Sequence, residues 1–185
     1  MATPTIGLAL SSGGARGAAH IGVLRVLEES GIVPDVIAGT SMGAYVGGAY
    51  ASGTCLDDVE AAWRSTSFLR TAKTLLPTIP WSGWTSGGEV VRTLRRTFGD
   101  RRIQDLDRPF AVVATDLESG TPYVITSGSL VDAVRASLSV PGLFTPVWLD
   151  DHLLVDGGVS NPLPLDVVRG MGADIVIAVD VLVDP

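Results

Sequence analysis

A serine set between two glycines, Gly39-Thr40-Ser41-Met42-Gly43, constrains this chain more than any other stretch. Ahead of it Val36-Ile37-Ala38 reads as a short buried strand, and residues 44–52 behind it read as a helix that Gly53 terminates. Strand, sharp turn and helix around a G-x-S-x-G pentad form the context of a nucleophile elbow. Gly39 and Gly43 lack a Cβ, so the backbone can turn tightly and neighbouring segments can come close. The turn carries the serine hydroxyl into a cleft at the start of a helix. Free N–H groups and the positive end of the helix favour a developing oxyanion there. The same pattern also occurs in glycine-rich turns whose serine is only structural, so the pentad needs partners before it means chemistry.

The rest of the chain repeats the alternation of strand and helix. Residues 5–10 read as a strand, and residues 18–30 as a helix with Ile21, Leu24 and Leu27 on one face and Gly31 as its stop. Further helices are expected over 56–65, 89–98, 130–138 and 165–171, and strands over 110–114, 123–126, 147–149, 153–155 and 175–181. Asp150-Asp151-His152 reads as the turn between two of these strands. Such a series predicts a three-layer α/β/α architecture with a mainly parallel central sheet covered on both faces. Residues 67–88 break the pattern with Pro77, Pro80, Gly83, Gly87 and Gly88 yet stay apolar through Trp81 and Trp84. They read either as a packed surface loop or as a lid or lipid-facing rim.

A length of 185 residues is most simply one domain over 1–185. The end at Pro185, directly after a strand, suggests either a minimal domain or a fragment of a longer protein. No run approaches the roughly 18 apolar residues of a membrane helix. Met1-Ala2-Thr3-Pro4 has no basic region leading into an apolar core. A cytoplasmic protein is therefore expected, with peripheral membrane contact as a variant. Cys55 is the only cysteine, which rules out an intrachain disulfide, and it is expected to be a buried, inert thiol. With two histidines and no paired cysteines, neither a metal nor a cofactor is expected. A net charge of −7 argues against nucleic-acid binding and against strong electrostatic docking on anionic lipid. Arg92, Arg95, Arg96, Arg101 and Arg102 cluster locally, either as a solvated face or as a contact for phosphate head groups.

A serine hydroxyl is a poor nucleophile until a base takes its proton. The usual base is a histidine oriented by a carboxylate. Here His152 precedes Asp156 by four residues, about 13 Å along an extended strand, too far for direct orientation. His20 falls in the first expected helix as a packed or surface residue. Asp156, in Val155-Asp156-Gly157-Gly158, is the better candidate. It ends a strand and precedes two glycines, so its carboxylate can project from the sheet edge into a cleft. Alone, the same residues are an ordinary Asp-Gly turn. Between the first strand and helix, Gly13-Gly14-Ala15-Arg16-Gly17 lines up N–H groups as an anion nest. Its spacing fits neither nucleotide-binding glycine pattern. Arg16 either fixes the loop or reaches an anionic head group.

Taken together and in this order, the three glycine-framed motifs resemble the patatin-like phospholipase family, most closely its compact bacterial members. The resemblance runs through nearly the whole chain. It includes Ala18-Ala19-His20-Ile21-Gly22-Val23-Leu24, Arg135-Ala136-Ser137 and Pro141-Gly142-Leu143-Phe144. It implies lipid acyl hydrolysis by a Ser-Asp dyad without a catalytic histidine, with Ser41 as nucleophile and Asp156 as base. It also implies an oxyanion hole from Gly13 to Gly17, with the N–H groups of Gly14 and Ala15 as donors. Ser12 stands where the family often has a further glycine. The implied substrate is a lipid or phospholipid met through transient membrane-surface contact. Two other readings stay open: a silent lipid- or acyl-binding regulatory domain, and a histidine-assisted esterase.

Overall fold

Residues of alternating size along three neighbouring strands set the layers of this molecule. The computed structural model describes residues 3–65 and 87–182. In β1 (Ile6–Leu10), Leu8 and Leu10 enter the larger of two cores and Ala9 the smaller. In β2 (Val36–Thr40), Ile37 faces the larger core, Val36 and Ala38 the smaller. β3 (Phe110–Asp116) likewise divides Phe110, Val112 and Ala114 from Ala111. Side chains two apart on a strand share a face, so the register aligns these choices across the sheet. Ala9 pairs with Ala38, and Ala38 with Ala111, giving a row of alanines over three strands.

That small-residue row lets a short helix pack close. α6 (Leu165–Gly170) inserts Val168 against it. At Gly7, in β1, a Cβ would lie 2.2 Å from Val168 Cγ1. The opposite face carries α1 (Ala19–Glu29), α2 (Met42–Ala51), α3 (Leu56–Ser65), α4 (Gly88–Phe98) and α5 (Leu130–Ser137). Every residue of α2 is buried, as expected of a helix apolar all round and enclosed by sheet and helices. Gly47 and Gly48 let it lie directly against Leu10, Phe110 and Leu130.

Strands β7 (Ile175–Val179), β1, β2 and β3 are parallel, as the alternation predicts. Three more strands extend the sheet antiparallel: β4 (Pro122–Ile125), β5 (Val147–Leu149) and β6 (His152–Asp156). The order is β5-β6-β3-β2-β1-β7, with β4 also paired to β3. β4 and β6 both pair with Ala114 and Thr115, so they occupy opposite edges of β3. β2 and β4 likewise both pair with Val112 and Val113. Thus β2 and β6 share one edge and meet end to end.

Several details differ from expectation. α2 begins at Met42, directly after the serine, because the elbow completes its turn in one residue. His152 opens β6 rather than lying in the hairpin turn, which is only Asp150 and Asp151, both at positive φ. Cys55 is exposed, since it precedes the first turn of α3 on the solvent side. The expected arginine cluster, Arg92, Arg95, Arg96, Arg101 and Arg102, is exposed at every position, which agrees with either expected reading, and Arg92 pairs with Glu89. The expected loop or lid over 67–88 lies outside the described residues, apart from Gly87 and Gly88 at the start of α4.

Candidate active site

β3 is the template on which the site is assembled. Thr40, the last residue of β2, pairs with Val113, and Asp156, the last of β6, pairs with the next residue, Ala114. Two strands running toward each other along one edge thus bring Ser41 and Asp156 together. Ser41 Oγ donates to Asp156 Oδ2 at 2.7 Å. The two residues are 5% and 6% exposed, so this bond is screened little by water.

Ser41 has φ 54° and ψ −116°, a conformation rarely taken by residues with a Cβ. Strain of this kind costs about 1–3 kcal/mol and persists where the surroundings over-determine it. They do so here. Ser41 N–H donates to Ser137 Oγ at 2.7 Å, and Ser41 C=O accepts from Tyr45 N–H in the first turn of α2. Thr40 Oγ1 donates to Asn161 C=O at 2.9 Å. The flanking glycines are required by close approach. A Cβ at Gly43 would lie 2.2 Å from Leu10 O, and one at Gly39 would lie 2.4 Å from Gly43 O.

Asp156 is held as fully. Its N–H donates to Ser139 C=O at 2.9 Å, and its C=O accepts from Thr115 Oγ1 at 2.9 Å. Gly158 N–H donates to Oδ1 at 2.7 Å, leaving Oδ2 for Ser41. Gly157 presses on β3: a Cβ there would stand 2.1 Å from Val113 O. Burial pushes the Asp156 carboxyl above the ordinary carboxylate value of 3.8, and the bonds from Ser41 and Gly158 pull the other way.

The glycine loop closes the third side. Gly14–Ala18 is a single 3-10 turn between β1 and α1. The first N–H groups of any helical turn lack an acceptor within it. Among the described residues nothing accepts from Gly14 or Ala15 N–H, whereas Arg16 N–H is used by Gly13 C=O at 3.1 Å. Gly13, Gly14, Ala15 and Arg16 line a cleft of about 550 Å³ with Ser41 and Asp156. Gly17 does not reach this wall. A Cβ there would lie 2.4 Å from Met42 Cβ, so Gly17 serves the closure of the turn onto α2. Leu138, Val140, Leu143 and Phe144 add an apolar wall to the same cleft.

The histidines lie elsewhere. His20 is fully buried with Nε2 2.9 Å from Ser11 C=O, and burial lowers its pKa below the ordinary value of 6.5. His152 Nδ1 lies 2.5 Å from Asp116 Oδ2, its ring 4.4 Å from that of Tyr123. Asp116 is held down to about 2, first by Ser119 N–H, then by His152 and Glu118 N–H. Sequence reasoning did not single out Ser137, Ser139 or Asp116 for these contacts. Only the run Arg135-Ala136-Ser137 pointed toward the first. Among the described residues no three His, Cys, Asp or Glu side chains gather as a metal set. No described helix is long and apolar enough to cross a membrane.

Comparison with known proteins gives this geometry relatives. An uncharacterised NTE family protein of Mycobacterium tuberculosis is 43% identical over 96% of this chain and 49% of its own length. Human patatin-like phospholipase domain-containing protein 6 is 42% identical over 96% of this chain and 13% of its own. Lysophospholipase nte1 of Aspergillus fumigatus is 39% identical over 95% and 12%. The chain therefore spans half or less of the relatives it matches. Among solved structures, VipD from Legionella pneumophila shares the fold, with a TM-score of 0.64 at 15% identity over 88% of this chain and 47% of its own. The family profile for patatin-like phospholipase matches residues 8–169, which contain the elbow, the glycine loop and Asp156, and the chain belongs to that family.

Proposed function

We propose that this protein hydrolyses acyl esters of lipids, with Ser41 as nucleophile, Asp156 as general base and the Gly13–Arg16 loop as oxyanion hole. The observation that carries this reading is the 2.7 Å bond from Ser41 Oγ to Asp156 Oδ2 inside a cleft with an apolar wall. Asp156 accepts the hydroxyl proton as Ser41 attacks the ester carbonyl. The N–H groups of Gly14 and Ala15 receive the tetrahedral oxyanion; losing one such donor typically costs about 100–1000-fold. Protonated Asp156 returns its proton to the departing alcohol, then activates the water that frees the acyl group. Neither half draws on a metal or cofactor. A buried carboxylate of raised pKa is a better base than a solvated one.

The acyl chain belongs against Leu138, Val140, Leu143 and Phe144. The family's name and that of the fungal relative, a lysophospholipase, favour phospholipid or lysophospholipid as substrate. Leu143, Val159 and Leu182 line the cleft yet are 37%, 60% and 38% exposed, which suits a mouth applied transiently to a lipid surface. We take residues 1–185 as one hydrolase unit. The decisive experiment compares wild type, Ser41→Ala and Asp156→Asn on a short-chain nitrophenyl ester and on mixed phospholipids, with fluorophosphonate labelling. Turnover that both substitutions abolish, with label on Ser41, is expected. Lipid binding without turnover or label in folded protein would sink the enzyme reading and leave a silent binding domain.

A further inference from the structure

We propose that Ser137 is a positioning residue for the reaction, its hydroxyl setting the main chain of the nucleophile; this rests on the assignment of Ser41 and Asp156 above. Ser137 closes α5 and is fully buried. Its Oγ accepts from Ser41 N–H at 2.7 Å and donates to Val113 C=O at 2.6 Å. Both the single donor and an acceptor lone pair of the hydroxyl are thereby used. Val113 is the residue of β3 that pairs with Thr40, so the relay ties the elbow to the strand whose next residue, Ala114, pairs with Asp156. Two residues on, Ser139 C=O accepts from Asp156 N–H at 2.9 Å. The end of α5 therefore holds the main chains of both partners, and the distance between Ser41 Oγ and Asp156 Oδ2 depends on it.

This hydroxyl has work that an ordinary buried serine does not. Ser41 sits at positive φ without being glycine, so its peptide plane relaxes unless its N–H is anchored. No main-chain group takes that N–H among the described residues; Ser137 Oγ does. An anchor lost here rotates the nucleophile away from its base, and a misplacement of about 1 Å can cost about 100-fold in rate. Substrate still enters the same cleft, so the loss falls on kcat.

The test uses the full chain and measures turnover of a short-chain nitrophenyl ester, the rate of fluorophosphonate attachment to Ser41 and hydrogen exchange of the Ser41 amide. Ser137→Ala is expected to lower kcat by about 10–100-fold with KM within about twofold. Labelling should slow by the same factor, and the Ser41 amide should exchange at least about tenfold faster. Ser137→Thr, which keeps the hydroxyl, restores most of the rate. The control is Ser52→Ala, which deletes a buried hydroxyl bonded to Ala49 C=O beyond the far end of α2 and leaves kcat and the Ser41 amide unchanged. If Ser137→Ala does not fold, Ser137→Cys, of nearly equal size but a weak acceptor, reads the same quantities. A folded variant with wild-type kcat and a still-protected amide overturns the proposal, as does a loss seen in KM alone or matched by Ser52→Ala. A wild type that neither turns over nor takes the label overturns the hydrolase reading and the positioning role with it.

Discussion

Burial and ionisation pull against each other at Asp156. The carboxyl is raised above 3.8 by loss of solvent, so the native state holds its proton more tightly than the unfolded chain. Its favourable contribution is complete below 3.8 and is lost as pH rises through the native value. At neutral pH the ionised group is therefore a burden on the fold that the proposed reaction requires. Asp156→Asn should lower kcat by about ten-thousand-fold while unfolding at higher denaturant than wild type at pH about 7, the gain vanishing below about pH 4. Equilibrium denaturation at several pH values, beside a pH–rate profile, checks both parts. The acid limb of kcat/KM should lie above the ordinary carboxylate range, and a limb at or below 3.8 would remove Asp156 as the base. Asp116 behaves oppositely. Held down to about 2, it stabilises the fold above 3.8 and loses that contribution as pH falls toward 2.

Individual elements are tied to the site by the absence of side chains at particular points. Gly43 places α2 against the carbonyls of Leu10 and Ser11, main-chain atoms that cannot swing aside. Gly22 lies exposed in α1 with nothing within 4 Å of a Cβ built there. The two glycines therefore predict opposite outcomes for one substitution. Gly22→Ala should stabilise by about 0.5–1 kcal/mol, because alanine loses less freedom in a helix. Gly43→Ala should cost about 3 kcal/mol or more and abolish labelling of Ser41, since the elbow and β1 must part. Thermal unfolding of both variants with the labelling assay decides it. Equal stability of the two would mean that the contact between α2 and β1 is looser than the geometry here.

At the scale of the whole molecule, the sheet separates two Asp-centred clusters. β6 carries Asp156 at one end and His152 at the other, and His152 is engaged with Asp116 beside Tyr123. His20 is bonded to the end of β1 from inside the core. No step proposed here passes through either ring. His152→Ala should leave kcat/KM within about twofold of wild type, while Asp156→Asn removes it. Steady-state kinetics on the two variants checks this, and a collapse in His152→Ala with Asp156→Asn tolerated would reinstate a histidine-assisted esterase.

Much of this arrangement was legible in the sequence because it is local. Gly39, Ser41 and Gly43 carry the elbow within five residues, the glycine loop and α1 follow directly from β1, and the alternation of strand and helix marks a sheet covered on both faces. What was not legible depends on residues far apart in the chain. Ser41 meets Ser137 across 96 positions and Asp156 across 115. No spacing rule reports such a meeting, and a serine ending a helix looks the same whether its hydroxyl faces water or the N–H of a distant residue. Nor does a short apolar strand announce its direction: β6 runs antiparallel to β3, on the stretch of its edge beyond the end of β2. Cys55 shows the same limit, expected inside from its residue type and found outside because the solvent side of α3 begins there. Residue chemistry and local backbone preference, which the sequence carries by itself, determined the turn at Ser41, the glycine loop after β1 and the aspartate beside two glycines. The pairing of β2 and β6 on one edge of β3, and the hydroxyl behind the elbow, were decided only by tertiary structure, because hydrogen bonds and packing between distant segments exist only once the chain has closed on itself.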